Sequence, residues 1–318
     1  MQSSMDVAGR QAGDIKSIWT LMLWICGVMY ALVLAFLGWA LWRARRRLAG
    51  PPTVEGVESA ADRPMQRVLG GWIGLIVLGL LVLTFGSFLV DRQLATAANR
   101  ADINIRVTAN QWWWEVEYQD PDPSRSFVTA NEIHLPVGKT AKIELVATDV
   151  IHSFWIPNLG GKQDLIPGRK NDITLTPMRE GRYRGQCAEF CGLQHSNMAL
   201  DVMVDSEAGY EAWRARQMRS APAPATPAQA HGLDVFQTQA CANCHQIDGT
   251  EAKGQTGPNL THVASRRYIA AGVAPYSRGT LAAWIADPQG LKPGAHMPIV
   301  QLSPADLNGL LDYLDSLK

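Results

Sequence analysis

The sequence shows neither an excess of one charge nor an internal repeat. Its 318 residues include 29 Lys and Arg against 29 Asp and Glu, so the formal net charge is zero. A chain without an overall positive field is a poor match for nucleic acid, and we expect no nucleic-acid partner. The length allows two or three domains.

Charge is missing entirely from two long apolar runs near the N-terminus. Ile18–Trp42 has 25 residues and Val68–Val90 has 23, and neither contains Asp, Glu, Lys or Arg. An α-helix needs about 20 residues to cross a bilayer. We therefore predict a two-helix transmembrane hairpin over 18–90 rather than a buried pair of soluble helices. The first run is too long for the apolar part of a signal peptide, so we expect it to be retained.

The arginines between the two apolar runs predict their orientation. The intervening segment carries six of them: Arg43, Arg45, Arg46, Arg47, Arg63 and Arg67. Two basic residues precede the first run, and loops rich in Lys and Arg stay in the cytoplasm. We therefore predict a multi-pass protein of the bacterial inner membrane, with the outer N-terminal segment 1–17 and everything after residue 91 in the periplasm. Disulfides form in that compartment, so a cysteine pair there could be a disulfide.

Two modules of different character follow the hairpin. Over 91–208, short β-type segments separated by Pro, Gly, Asn and Asp predict an all-β sandwich or barrel. The segment 209–230 ends in the Pro/Ala run SAPAPATPAQA and predicts a linker. Over 231–318, helical windows predict an all-α module, and its last helix is expected to begin after Ser303 as N-cap.

The all-α module contains a C-x-x-C-H motif. Cys241 and Cys244 lie about one helical turn apart, so both thiols can add to the vinyl groups of one haem, and His245 can then bind the iron. A thioredoxin-like pair or a structural disulfide would not need the histidine. Met297 is the predicted sixth ligand, because a Met/His pair raises the reduction potential, and His296 is the competing candidate.

The order of motifs in this module resembles class I cytochrome c domains. A C-x-x-C-H near the start is followed by a G-P-x-L loop at Gly257–Leu260, by the M-P loop at Met297 and by a closing helix. The resemblance implies covalent haem c, with the Gly257–Leu260 loop packed over the haem edge.

The β-type module concentrates soft ligands in one short segment. Cys187, Cys191, His195 and Met198 lie within twelve positions, and His152 can supply a second imidazole. Sulfur and imidazole together suit copper. A single copper site needs one cysteine, whereas two thiolates can bridge two coppers. A disulfide would need neither the methionine nor a histidine, and a tetrahedral zinc site would not need the methionine.

Three motifs of this module together resemble subunit II of cytochrome c oxidase and its dicopper CuA centre. They are C-x-E-x-C-x-x-x-H-x-x-M at 187–198, D-V-x-H-S-F at 149–154 and K-x-D-x-I-P-G-R at 162–169. The resemblance runs from the first apolar run to Asp205, and with the C-terminal module it matches the variant that carries a fused cytochrome c. It implies a cupredoxin-like fold for 91–208.

The resemblance also implies roles for particular residues. It implies six copper ligands: bridging thiolates from Cys187 and Cys191, imidazoles from His152 and His195, the weak thioether of Met198 and the backbone carbonyl of Glu189. The Glu189 side chain would also reach a magnesium ion shared with subunit I. Trp112 would be an exposed residue at which electrons enter, whereas Trp114 is expected to pack in the core.

The expected function is that of the subunit through which electrons enter a proton-pumping cytochrome c oxidase. Electrons would pass from a reduced donor through haem c and the dicopper centre to haem in subunit I, where oxygen is reduced to water. We therefore expect no catalytic residue in this chain. The expected partners are subunits I and III, a cytochrome c or another reduced donor, and the lipid bilayer.

Two other functions fit part of the pattern. The same cofactors could serve a nitric-oxide-reducing haem–copper enzyme, and the large partner subunit would decide between these two. A membrane-anchored copper-handling protein would use the copper ligands, but it has no use for a fused haem domain.

The linker predicts a mobile arrangement. Ser220–Ala230 has 11 residues with three prolines, so it spans at most about 34 Å in an extended form. We expect the haem module to pivot on the copper module, with weak and polar contacts between them.

Overall fold

The computed structural model describes residues 2–48, 62–98 and 101–318. They form two compact units: Asp14–Ala95, and Met1–Gly13 together with Thr96–Lys318. The centre of the predicted cytoplasmic loop, residues 49–61, lies outside the described residues, as do the side chains of Arg47 and Arg63. The prediction that this loop is cytoplasmic therefore rests on the sequence.

The smaller unit is built from two long helices, α1 (Arg10–Leu48) and α2 (Asp62–Ala98). Each contains a stretch long and apolar enough to cross a membrane, Arg10–Arg46 in α1 and Gln66–Arg92 in α2. Large apolar side chains face outward, and Trp24 is 71% exposed. A continuous apolar surface of this kind needs lipid or protein around it. The two predicted apolar helices are confirmed, although both extend beyond their predicted ends.

Ten strands are described between residues 103 and 205 of the larger unit. They are β1 (Ile103–Asn110), β2 (Trp113–Gln119), β3 (Phe127–Ala130), β4 (Glu132–Pro136), β5 (Ala141–Ala147), β6 (His152–Trp155), β7 (Lys162–Leu165), β8 (Asn171–Leu175), β9 (Gly181–Cys187) and β10 (Ala199–Asp205). One sheet has the order β3-β2-β1-β5-β8 and the other has the order β4-β10-β9-β6-β7.

Alternating burial explains how the two sheets pack. On β1, Ile105, Val107 and Ala109 are buried while their neighbours are partly exposed, and β5 repeats the pattern with Ile143 and Leu145. Because successive side chains of a strand point to opposite faces, each sheet offers one apolar face, and the two faces form a common core. The predicted all-β sandwich is confirmed.

A helix occupies the start of the predicted linker. Helix α3 (Glu207–Gln217) begins after Ser206, whose hydroxyl accepts a hydrogen bond from the backbone N–H of Gly209. It packs Trp213 against Tyr118 of β2, with ring centroids 5.1 Å apart. The prediction of a linker over 209–230 overlooked this helix. The Pro/Ala composition that indicates a linker begins only at residue 220, after the helix has ended. We call residues 101–217 the β-module.

The N-terminal residues pack on the β-module. The backbone N–H of Ala8 donates to the carbonyl of Asn158 at 2.8 Å, and that of Arg10 donates to the carbonyl of Thr176 at 2.9 Å. Asp6 also forms an ion pair with Arg179 at 2.7 Å. The chain before the first membrane stretch is thus part of the same unit as the β-module.

The C-terminal part is helical, and we call residues 227–318 the helical module. Its helices are α4 (Pro227–Thr238), α5 (Cys241–Cys244), α6 (Arg278–Ala286), α7 (Pro288–Leu291) and α8 (Pro304–Leu314), with a short hairpin of β11 (Tyr268–Ile269) and β12 (Ala274–Pro275). Helix α4 begins at Pro227, within the predicted linker, because Thr226 caps it. The predicted N-cap of α8 is confirmed, since the Ser303 hydroxyl accepts a hydrogen bond from the N–H of Asp306.

Helices α4 and α8 cross at two glycines. A Cβ atom on Gly232 would lie 2.0 Å from the carbonyl oxygen of Gly309. The two backbones can approach this closely only because neither residue has a side chain at the crossing. Phe236 of α4 and Tyr313 of α8 are buried in the same apolar core.

Candidate metal centres

Three separate segments of the β-module bring the predicted copper ligands together. Strand β6 begins at His152 and pairs with β9, which ends at Cys187, and the register places Phe154 opposite Cys187. The chain then loops through Cys191 and a short 3-10 turn at His195–Asn197 before β10 begins. Sheet pairing therefore joins a histidine far away in sequence to the cysteine-rich loop.

The ligand atoms of this cluster face one another at short range. The Sγ atoms of Cys187 and Cys191 are 3.7 Å apart. His152 Nδ1 lies 3.8 Å from Cys187 Sγ, and His195 Nδ1 lies 3.6 Å from Cys191 Sγ. A disulfide would need a sulfur separation near 2.05 Å. Each thiol is therefore free and is paired with its own imidazole.

Methionine sulfur and a backbone carbonyl complete the cluster. Met198 Sδ lies 3.9 Å from Cys191 Sγ, and the carbonyl oxygen of Glu189 lies 3.2 Å from Cys187 Sγ. Met198 is 1% exposed, whereas the Glu189 side chain is exposed to solvent. The donor set of two thiols, two imidazoles, a thioether and a carbonyl fits copper ions, which take soft sulfur and nitrogen ligands.

Asp149 fixes the orientation of the buried histidine. Its Oδ1 lies 2.8 Å from His152 Nε2, which leaves Nδ1 facing the sulfurs. Burial raises the pKa of Asp149, but hydrogen bonds from His152, Val150 and Gln111 outweigh it, so the pKa is lowered. A carboxylate in this position holds the imidazole in place and makes its other nitrogen a better ligand.

The surroundings of Cys187 favour its thiolate form. The thiol of Cys191, the ring of His152 and nearby backbone groups lower the pKa of Cys187 against the opposing effect of burial. The thiolate is the form of cysteine that binds metals. The cluster thus favours the protonation state that binds metals, at the position where the sequence predicted a metal site.

A cavity of about 570 Å³ is lined by the C-x-x-C-H motif and other residues of the helical module, and by residues of the β-module. Helix α5 places Cys241 and Cys244 one turn apart on the cavity wall. His245 Nδ1 lies 2.8 Å from the carbonyl oxygen of Pro258, which leaves Nε2 free to bind iron. Burial lowers the pKa of His245, so the neutral, ligating form is favoured.

The predicted G-P-x-L loop supports the proximal histidine. A Cβ atom on Gly257 would lie 2.7 Å from Cε1 of His245, so this position needs glycine for the loop to approach the ring. Met297 lines the same cavity and packs against the apolar core of the module. Two thiols, a free imidazole nitrogen and a thioether around one apolar cavity fit a covalently attached haem.

Comparisons with known proteins match parts of both modules. The family model "Cytochrome C oxidase subunit II, periplasmic domain" matches residues 121–205, and the model "Cytochrome c" matches residues 229–318. A cytochrome c oxidase subunit 2 from Alkalihalophilus pseudofirmus is 30% identical over 317 residues, covering 99% of this chain and 91% of the relative. The chain belongs to the cytochrome c oxidase subunit 2 family.

The chain is also similar to a second relative and to a solved structure. The cytochrome c oxidase subunit 2 of Bacillus sp. (strain PS3) is 32% identical over 267 residues, which cover 78% of this chain and 73% of the relative. The crystal structure of the periplasmic domain of subunit II of cytochrome oxidase of Bradyrhizobium japonicum is 31% identical, with a TM-score of 0.35. It covers 37% of this chain and 94% of that chain.

Family membership confirms the coarse functional predictions. The chain is the subunit II of a haem–copper oxidase with a cytochrome c domain, and a partner subunit I is implied. Copper and haem follow from the two matched domains. The two apolar helices and the matched domain describe an inner-membrane protein with a periplasmic domain.

Trp112 is not exposed, in contrast to the prediction for this oxidase subunit. It is 8% exposed, because the helical module covers it, and its ring centroid lies 5.8 Å from that of His296. Its Nε1–H donates to the carbonyl of Cys191 at 2.9 Å. Trp114 is fully buried and packs edge-on against Phe154, so its predicted packing role is confirmed.

The contacts between the two modules are also closer than predicted. Arg267 of the helical module pairs with Asp201 of β10 at 3.1 Å. Arg266 and Glu132 are both buried, with Arg266 Nε 3.8 Å from the Glu132 carboxylate. The linker itself is held, since the N–H of Ala221 donates to the carbonyl of Asp248. These contacts are polar, as predicted, but they include buried groups and both modules belong to one compact unit, which does not fit the prediction of a pivoting module.

Lys292 is the functional candidate that sequence reasoning missed. It precedes the M-P loop by a few residues, in KPGAHMP, and as a lone lysine it has no spacing that signals a role. It is 2% exposed. Burial of a lysine to this degree is rare and points to specific partners.

Proposed function

We propose that this oxidase subunit receives electrons from a reduced donor and relays them to haem in subunit I. In this proposal, covalent haem c is held by Cys241, Cys244, His245 and Met297. A dicopper CuA centre is held by His152, Cys187, Glu189, Cys191, His195 and Met198. When bound, the two groups supply one-electron transfer, and the oxygen-reducing site belongs to the partner subunit.

The position of Trp112 is the observation that carries the proposal. Its ring contacts His296, the neighbour of Met297, and its indole N–H donates to the carbonyl of Cys191. One side chain thus touches the loop of the predicted sixth haem ligand and a predicted bridging copper ligand. We propose that electrons enter the β-module at Trp112, from the helical module of the same chain.

The protein's own groups prepare both sites. Asp149 orients His152 toward the sulfurs, and the carbonyl of Pro258 orients His245 toward the cavity. Burial of four of the predicted copper ligands, His152, Cys187, Cys191 and Met198, excludes water from them, which limits reorganisation of the surroundings when an electron arrives. The protein therefore contributes fixed ligand geometry and a dry environment.

The packing of the N-terminal residues supports the proposed topology. Ala8 and Arg10 are hydrogen-bonded to the β-module, and the helical module belongs to the same unit. If the two apolar helices cross the membrane, both chain ends lie on the side of the β-module. We propose that this side is the periplasm.

Three finer predictions remain proposals. The exposed Glu189 carboxylate is free to reach a magnesium ion at the contact with subunit I. A subunit III and a cytochrome c donor are expected in the complex. Proton pumping is proposed for the complex as a whole.

The complex purified with its partner subunits tests the function. A denaturing gel stained for haem should label this chain, because thioether bonds survive denaturation. Metal analysis of the complex should count two coppers in addition to any held by the partner subunit, and electron paramagnetic resonance should show one unpaired electron shared by those two.

Turnover of the same complex separates the oxidase from its alternatives. Oxygen consumption driven by a reduced cytochrome c is the expected result. Nitric oxide consumption without oxygen consumption would favour the nitric-oxide-reducing enzyme. Transfer of copper to an apo-oxidase, with neither turnover, would favour the copper-handling protein.

A further inference from the structure

Lys292 lies at the centre of the contact between the two modules. Its Nζ donates to three backbone carbonyls, those of Trp112 at 2.7 Å, Asn197 at 2.8 Å and Ala270 at 2.9 Å. The first two belong to the β-module and the third to the helical module. A lysine ammonium has three donors, and all three are used here.

The hydrogen bonds of Lys292 depend on docking. Burial lowers the pKa of Lys292 to about 7, which reflects the cost of removing a charge from water. The three carbonyls accept the hydrogen bonds of the ammonium, and two of them reach it only when the helical module lies on the β-module. Without docking, water molecules would have to replace these two carbonyls as hydrogen-bond acceptors of Lys292.

Other contacts around Lys292 define a single docked position. Gln194 Nε2 donates to the carbonyl of Pro293 at 2.7 Å, and the N–H of Ala199 donates to the carbonyl of Ala271 at 2.9 Å. Gly294 has φ +84°, and a Cβ atom there would lie 2.9 Å from Leu193. These hydrogen bonds, and the close approach of the Gly294 backbone to Leu193, allow little sliding of one module over the other.

We propose that Lys292 is a positioning residue that locks the helical module onto the β-module in one fixed arrangement, with Trp112 enclosed between them. The inference rests on the proposed function, because the lock matters for electron transfer only if both sites hold their metals. In this arrangement a specific interface holds the two modules together, rather than the linker alone.

A cleavable linker tests the lock in the full chain within the purified oxidase. A site-specific protease sequence is inserted after Ala223, in the exposed stretch between α3 and α4. After cleavage, the complex is diluted to about 10 nM, where a contact of micromolar affinity comes apart. Gel filtration with haem detection then measures how much of the haem-carrying fragment stays with the complex.

Cleaved wild-type protein should keep the fragment at this dilution, and its haem-to-copper transfer after flash reduction should not depend on concentration. Lys292→Met should weaken retention by about 30-fold or more, the lower range for loss of a buried, hydrogen-bonded charge at an interface. Lys253→Met is the matched control, since Lys253 is an exposed lysine of the same module. It should behave as wild type.

A further readout separates positioning from general damage. The haem absorption spectrum and the dicopper resonance of Lys292→Met should match those of wild type, while retention falls. Should Lys292→Met fail to accumulate, Lys292→Gln is the second variant, because its amide can still donate to part of the carbonyl set. It should fall between wild type and Lys292→Met.

Two results would overturn the inference. One is separation of the cleaved wild-type fragments on dilution, and the other is retention in the Lys292 variants equal to that of Lys253→Met. Absence of the haem stain or of the copper signal in uncleaved protein would instead contradict the proposed function. With both signals present, the retention assay reports on Lys292 alone.

Discussion

The indole of Trp112 and the side chain of Gln111 both donate hydrogen bonds to the backbone carbonyl of Cys191, at 2.9 and 2.8 Å. The loop that carries the cysteines is therefore held from outside by the turn that leads into β2. Because Trp112 also contacts His296 of the helical module, one residue links the loop of the predicted copper ligands to the other module.

Trp112→Phe should keep the aromatic contact but remove the hydrogen bond to Cys191. Loss of one net hydrogen bond costs about 1 kcal/mol of stability. We expect two coppers to remain bound, with a shifted dicopper spectrum that is lost at a lower temperature. Trp113→Phe is the control, because it makes the same change in the next residue along the chain. The hydrogen bond from Trp112 to Cys191 stays intact in that variant. Identical spectra and melting for the two variants would show that this hydrogen bond has no effect on the copper site.

Asp149→Asn should weaken copper binding without removing a ligand. The neutral amide no longer supports the His152 imidazole as a carboxylate does, and loss of such a partner lowers metal affinity by about 10–100-fold. Competition with a copper chelator measures the change. Asp172→Asn, an exposed carboxylate on β8, should leave the affinity unchanged. Equal affinities for both variants would contradict the orienting role of Asp149.

Cys187→Ser should abolish the shared-electron signal of the dicopper centre. One remaining thiolate, Cys191, cannot bridge two coppers as two thiolates do. Metal analysis should show fewer than two coppers, and the resonance should become that of a single copper. Cys26→Ser, in the exposed surface of α1, should retain the native signal. A native signal in Cys187→Ser would remove Cys187 from the ligand set.

Met297→Ala should remove the sixth haem ligand and lower the reduction potential of the haem, since a thioether ligand raises that potential. The loss of the sulfur-to-iron absorption band in the red region checks the assignment. His296→Ala should preserve that band, although it removes the contact with Trp112. The opposite pattern in the two variants would assign the sixth ligand to His296.

The sequence was sufficient to group most of the predicted metal ligands because they occur in compact motifs. Cys191 follows Cys187, the last residue of β9, by four positions, and His245 directly follows the short helix Cys241–Cys244, so local spacing carries most of the information. His152 joins the cluster through the pairing of β6 with β9; the sequence offered it as a second imidazole, but no local spacing ties it to the cysteines.

The relationship between the modules could not be predicted in the same way. The contacts of Lys292 reach residues 180 and 95 positions away, and no local pattern encodes such partners. The prediction that Trp112 is exposed was wrong for the same reason, because the residues that bury it belong to the helical module. Helix α3 was missed because its amphipathic pattern lasts only three turns and adjoins a Pro/Ala segment.

The burial of Trp112 moves the choice of redox partner from one part of the chain to another. The surface of the β-module that a soluble protein would need to reach Trp112 is already occupied by residues of the helical module. Charge changes elsewhere on the β-module should therefore not alter which donor the oxidase accepts. Exchange of residues 227–318 for those of a relative replaces the haem site, and it should change donor preference at the same time. Both properties would therefore be transferred with this one segment.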